Sequence, residues 1–169
     1  MTSTTRSDQF ISVIETHRGI LHKIANVYAT TPEDRKDLIQ EIVLQLWKAF
    51  DNYDPRFKYS TWIYKVSLNV SLAFSRKEHN RLKHVDPLRD DLVQFADQDE
   101  PAAMETRFRF LQQFIAELRA IDRAILLLYL EEKSQREMAE IIGITETNIS
   151  TRVGRIKAQL KKKFDQIQK

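Results

Sequence analysis

The side chains with the clearest chemical purpose lie between Ser134 and Lys163. Ser134 followed by Glu137 is a capping box, in which a hydroxyl and a carboxylate satisfy the free amides that open a helix. Met138, Ala139, Ile141 and Ile142 follow at helical spacing, and the small Ala139 permits close approach of a second helix. Gly143 supplies the left-handed conformation that ends a helix in a sharp turn. Ile144 plugs the corner, and Thr145 caps the helix that follows. Ile149, Val153, Ile156 and Leu160 make the apolar stripe of that second helix. Its other face is polar and basic: between 147 and 164 stand Arg152, Arg155, Lys157, Lys161, Lys162 and Lys163, and no acid. These are the mechanics of a helix-turn-helix, whose second helix enters the major groove of DNA. Asn148 suits a bidentate contact to adenine, and Arg152 suits guanine or phosphate. Arg155, Lys157 and Lys161 suit phosphates, which set register without reading sequence. Thr145, Thr147, Ser150 and Thr151 complete the candidate face. A helical hairpin with a basic tail also serves as a protein-binding element, and the spacing alone leaves that alternative open.

A second constellation lies upstream. The stretch from Asn52 to Thr61 holds Tyr53, Phe57 and Tyr59 among Arg56 and Lys58, with Ser60 at its end. Lys65, Asn69, Arg76 and Lys77 follow on a helix. Aromatic rings interleaved with cations suit single-stranded nucleic acid: the cations meet phosphates and the rings stack on unpaired bases. Trp62 belongs with Ile63 and Val66 at core spacing, so the loop rings Tyr53, Phe57 and Tyr59 are the ones expected at the surface. A third set, Asp37, Gln40, Glu41 and Gln45, shares the polar face of another helix, by default a solvated face. Glu33, Asp34, Asp37 and Glu41 offer oxygen ligands of the kind a divalent cation takes, with Arg35 and Lys36 set among them against that use. His17, His22, His79 and His84 show no metal-ligand spacing.

All three sets sit on or between helices. The chain has 169 residues, only 3 Gly and 4 Pro, 42% apolar and 30% charged side chains, and no cysteine. That is too little punctuation for a sheet-rich fold and enough apolar content for a core. Absence of cysteine excludes disulfides, thiolate metal sites and cysteine nucleophiles. No apolar run is long enough to span a membrane and the N-terminus lacks a signal-peptide core, so a cytoplasmic protein is expected. Residues 8–29 predict an amphipathic helix or a broken pair with Gly19 near the middle. Thr31, Pro32, Glu33 and Asp34 predict the start of a helix running to about Phe50, with Leu38, Ile42 and Leu46 inward. Residues 51–85 carry seven basic and three acidic side chains; residues 86–101 carry one basic and six acidic, with Pro87 and Pro101. The expectation is all-α: two small helical domains, 1–82 and 105–169, joined by a flexible acidic linker over 83–104.

Three motifs resemble one family in order along the chain. The helix from Asp37 to Trp47 resembles the core-binding helix of region 2 in bacterial extracytoplasmic-function sigma factors of the sigma-70 family. Ser60 to Asn69 resembles the promoter-melting segment that follows it. Met138 to Ile144, with Ile149, Arg152 and Arg155, is similar to region 4. The resemblance implies a protein without catalytic activity or cofactor that binds core RNA polymerase and promoter DNA. Asp37, Gln40, Glu41 and Gln45 would contact the clamp helices of the large polymerase subunit. Tyr53, Arg56, Phe57, Lys58, Tyr59, Ser60, Lys65, Asn69, Arg76 and Lys77 would hold the single-stranded −10 element, and the helix-turn-helix would read the double-stranded −35 element. The acidic linker would thread toward the polymerase active site, and an anti-sigma factor is an expected further partner. Two departures stand out: Lys65 where the family often has Arg, and Ser150 where it often has a cation. Gly154, inside the recognition helix, costs about 1 kcal/mol relative to Ala. The competing readings are a stand-alone helix-turn-helix regulator with a helical sensor or dimerisation domain, and a helical metal-dependent enzyme.

Overall fold

The computed structural model describes residues 4–83 and 102–168. Among them there is no strand. The elements are α1 (Arg6–Thr16), α2 (Arg18–Tyr28), α3 (Pro32–Ala49), a 3₁₀ turn (Phe50–Asn52), α4 (Tyr59–Lys83), α5 (Ala102–Glu117), α6 (Ala120–Leu130), α7 (Gln135–Ile142) and α8 (Glu146–Ile167). The expected linker is helical at both ends, since α4 runs to Lys83 and α5 begins at Ala102; the stretch between lies outside the described residues.

Helix starts follow local capping. Thr5 and Asp8 form a capping box on α1, with the Asp8 amide donating to Thr5 Oγ1 at 3.2 Å and the Thr5 amide to Asp8 Oδ2 at 3.1 Å. The Asp8 carboxyl is consequently held below the usual carboxylate range by Thr5. Thr31 caps α3 through the Asp34 amide at 3.1 Å, with Pro32 in the first turn and Glu33 and Asp34 at the positive helix end. The predicted broken pair is present, but the break is at His17 (φ −110°, ψ 17°) and not at Gly19, which lies within α2. The His17 amide donates to both Val13 and Ile14 carbonyls at 3.2 Å, a split bond that ends α1 without a glycine.

The N-terminal bundle closes α2, α3 and α4 over Leu21, Ile24, Ala25, Leu38, Ile42, Leu46, Ile63 and Leu68, all buried. Phe10 of α1 seals one end, edge-on to Trp47 (5.0 Å) and to Phe50 (5.3 Å). Arg6 lies over the Trp47 ring at 3.8 Å and reaches Asp51 at 2.6 Å. In the C-terminal half, Phe114, Leu118, Ile125, Leu128, Met138, Ile141, Ile149, Val153 and Ile156 are buried.

These two sets form one continuous core. Helix α4 packs against α7 and α6 as well as against α2 and α3, and α2 touches α6. The Tyr28 hydroxyl donates to the Ala120 carbonyl at 2.6 Å, Lys23 pairs with Glu131 at 2.8 Å, and Lys133 lies 5.6 Å from the Tyr64 ring centre. Composition and spacing carry no signal for this junction.

Candidate nucleic-acid interface

The helix-turn-helix is assembled from its caps. The Glu137 amide donates to Ser134 Oγ at 3.1 Å, and the Ser134 amide donates to Glu137 Oε2 at 2.9 Å. At the turn Gly143 is left-handed (φ 84°, ψ 34°), and its amide returns to the Ala139 carbonyl at 2.8 Å. Ile144 packs against the core. Thr145 caps α8 by accepting from the Asn148 amide at 3.1 Å. Ile149, Val153 and Ile156 are buried and Leu160 half-buried, so the opposite face of α8 is turned outward. Thr147, Asn148, Ser150, Thr151, Arg155, Lys157 and Lys161 are all exposed, as is Thr145 at the cap. Thr151 returns its hydroxyl to the Thr147 carbonyl at 3.0 Å, and Lys157 lies 4.7 Å above the Tyr129 ring centre.

Arg152 departs from this pattern. Its side chain is 22% exposed and its Nη1 donates to Asp122 Oδ1 at 2.9 Å, where Asp122 is a buried residue in the first turn of α6. Its Nε donates to Asn148 Oδ1 at 3.0 Å. Spacing could not reveal Asp122 as a partner, because an acid in a first helical turn is already explained by the helix dipole.

The upstream loop is built on rings. Trp47, Phe10, Phe50, Trp62, Tyr53 and Tyr59 form a chain of aromatic contacts from the core to the surface. At its outer end Tyr53 and Tyr59 stack at 4.3 Å and 16°, with Trp62 edge-on to both. Only one of the three loop rings is therefore free: Phe57 is 42% exposed, while Tyr53 and Tyr59 cover each other. Trp62 packs against the core, as its spacing predicts. The Tyr53 hydroxyl donates to the Phe57 carbonyl. Desolvation of its stacked ring, then Tyr59 and Asp54, push the Tyr53 phenol up. Asp54 takes the Arg56 guanidinium at 2.7 Å and the Arg56 amide at 3.0 Å, which hold its carboxyl below the usual range. Arg56 is thus paired within its own loop though exposed, Lys58 is exposed as well, and Ser60 is half-buried.

On α4, Lys65, Asn69 and Arg76 are exposed and share one helical stripe. Asn69 and Lys77 also line a groove between α3 and α4 whose opposite wall is Asp37, Glu41 and Gln45, and whose floor includes Val66, Val70 and Phe74. Gln45 donates to Glu41 Oε1 at 3.0 Å, and Gln40 is exposed. The family resemblance implies polymerase contacts for Asp37, Glu41 and Gln45 and DNA contacts for Asn69 and Lys77; the fold brings all five to one groove. Among the described residues no three His, Asp or Glu side chains gather closely enough to hold a metal ion, and no helix is long and apolar enough to cross a membrane.

Comparison with known proteins finds matches in both halves of the chain. Residues 13–81 match the family model for Sigma-70 region 2, and residues 110–160 match that for Sigma-70, region 4. The ECF RNA polymerase sigma factor SigW of Bacillus subtilis is 22% identical over 93% of this chain and 89% of its own length. Among solved structures, the sigma factor RpoE of Bartonella quintana in complex with the anti-sigma factor NepR superposes with a TM-score of 0.70 at 16% identity, covering 93% of this chain and 97% of that one. CnrH, an RNA polymerase sigma factor of Cupriavidus metallidurans, in complex with the cytosolic domain of CnrY gives a TM-score of 0.63 at 20% identity, covering 92% of this chain and 87% of that one.

Proposed function

The chain belongs to the extracytoplasmic-function sigma factors of the sigma-70 family, and from that premise we propose how its residues divide the work of binding core RNA polymerase and opening a promoter. Residues 1–82 act as the region 2 domain and residues 105–169 as the region 4 domain, with 83–104 as the connection. Asp37, Gln40, Glu41 and Gln45 dock on the polymerase clamp helices. Phe57, Lys58, Lys65 and Arg76 meet the single-stranded −10 element, with Tyr53, Tyr59 and Ser60 shaping the loop and Arg56 released from Asp54 when phosphate arrives. Asn69 and Lys77 lie where the polymerase-facing and DNA-facing surfaces join. The outward face of α8, from Thr145 and Thr147 to Lys161, enters the major groove at −35. The protein works in the cytoplasm and has no catalytic activity of its own. A dedicated anti-sigma factor holds it inactive, as the complexes of RpoE with NepR and of CnrH with CnrY suggest by analogy.

The observation that carries this reading is the complete helix-turn-helix with its basic face exposed, in one chain with a region 2 bundle whose polar groove remains open. In vitro transcription with purified core polymerase and a promoter library tests it: this chain starts transcripts, which a stand-alone regulator or an enzyme would not. Asp37→Ala combined with Glu41→Ala weakens polymerase binding and leaves the fold intact, because both side chains are exposed. Unchanged polymerase affinity in that double variant would remove the α3 face from the proposal.

A further inference from the structure

The spacing on α8 presents Asn148 and Arg152 as two separate base contacts, one turn apart. In the structure they are one unit with Asp122. The Asp122 carboxylate, buried at the start of α6, fixes one end of the Arg152 guanidinium through Nη1 at 2.9 Å. The Nε–H of the same planar group points at Asn148 Oδ1, 3.0 Å away. The backbone of Asn148 is fixed as well, by its amide bond to Thr145 Oγ1 at 3.1 Å. Asn148 itself is exposed, whereas Arg152 is not.

We propose that Asp122 and Arg152 are positioning residues that set the amide of Asn148, its oxygen held by Arg152, so that the recognition helix presents the amide NH₂ as a hydrogen-bond donor at that point, selecting guanine over adenine in the −35 element. The inference rests on the promoter-reading function proposed above. An asparagine that reads adenine needs both ends of its amide at the base edge: the oxygen accepts from N6 and the nitrogen donates to N7. Here the oxygen is turned back along the helix to the Arg152 Nε–H, which leaves the NH₂ facing out. Guanine places two acceptors, N7 and O6, side by side in the major groove. Adenine offers N7 as its single acceptor and sets its N6 donor beside it against that NH₂, cytosine presents a donor, and thymine offers the single acceptor O4. Arg152 has both Nε and Nη1 engaged on the protein. Its role passes through Asn148.

The test uses the full chain with core RNA polymerase on promoters randomised across the −35 element, with transcripts sequenced for the wild type, Asn148→Ala, Arg152→Lys and Asp122→Asn. The position whose preference disappears in Asn148→Ala is the base that Asn148 reads. There the wild type favours guanine over adenine by roughly tenfold, the scale of one good base contact. Arg152→Lys keeps a cation for Asp122 but has no Nε–H, so it brings the two bases to near parity at that position while other positions keep their preferences; Asp122→Asn acts in the same direction. A merely structural role would instead lower output equally on all sequences. Adenine preference in the wild type overturns the inference. So does an unchanged guanine preference in both Arg152→Lys and Asp122→Asn, or an Asn148→Ala protein with every preference intact. If no library member gives a transcript, the sigma-factor function itself falls and the inference with it; transcripts with the wrong base preference overturn the inference alone.

Discussion

Every group that shapes the helix-turn-helix, from Ser134 and Glu137 to Gly143 and Thr145, finds its partner within a few residues along the chain. The loop from Tyr53 to Ser60 is held partly the other way. Besides its local bonds and the flanking rings Phe50 and Trp62, it leans on a distant residue, Phe10 of α1, which packs edge-on to Phe50. The turn of the first interface is encoded locally, although Asp122 joins its recognition helix from α6; the second adds, through Phe10, an element of assembly. The local one tolerates damage elsewhere in the molecule until the core itself fails, whereas the assembled one answers to changes far away in sequence. Both rest on the same apolar core, which sets how far their independence extends.

The largest expected effects come from that core. Ile63→Ala in α4 and Ile149→Ala in α8 each delete most of a side chain with no exposure, and each is expected to cost about 2–5 kcal/mol. Because the core is continuous, urea unfolding followed by circular dichroism should show one transition, shifted by either variant. Two transitions, each answering to one substitution, would divide the molecule into independent halves.

The two glycines of the helix-turn-helix should respond with opposite sign. Gly143→Ala forces a side chain into the left-handed region and costs about 1–2 kcal/mol. Gly154 lies on the exposed face of α8 with open space where a Cβ would stand, so Gly154→Ala should stabilise by about 1 kcal/mol. Thermal melts of the two variants decide both signs.

The junction between the halves gives a pH dependence. Burial, joined by Glu131, pushes the Tyr64 phenol up to about 12; burial also raises that of Tyr28, against the opposing effect of Arg123. In the unfolded chain both phenols ionise near an ordinary value of about 10. Between those limits the folded protein holds protons that the unfolded chain has lost, so stability falls as pH rises from about 10 toward 12, and is unaffected by these groups below that window. A tyrosine absorbance titration should show late ionisation of Tyr28 and Tyr64. Tyr28→Phe, which removes the bond to the Ala120 carbonyl, should cost about 1 kcal/mol and delete one late phenol.

The smallest effect is expected at the rim of the recognition helix. Lys161→Ala should weaken promoter binding equally on all sequences and lower the salt slope by about 1. A loss confined to particular bases would make Lys161 a reader.

The same contrast explains what was legible in the sequence. Helical class, the caps at Thr31, Ser134 and Thr145, the turn at Gly143 and the inward stripe of α8 all depend on neighbours three or four residues away, which spacing records. The bond between Asp122 and Arg152, the stacking of Tyr53 on Tyr59 and the packing of α7 on α4 join residues whose separation in the chain carries no periodic trace. Arg152 and the loop tyrosines look like free surface groups for that reason. The break at His17 was visible only as a defect in the apolar rhythm, because a split carbonyl bond, and not the nearby glycine, ends α1.

The aromatic chain has a practical consequence. The protein has two tryptophans, and both belong to that chain, with Trp62 edge-on to the stacked Tyr53 and Tyr59. Any strand that parts those rings alters the surroundings of a tryptophan, while no tryptophan lies on α8, where a duplex would sit. Emission from the unlabelled molecule should therefore time the capture of melted DNA separately from the docking of the upstream element.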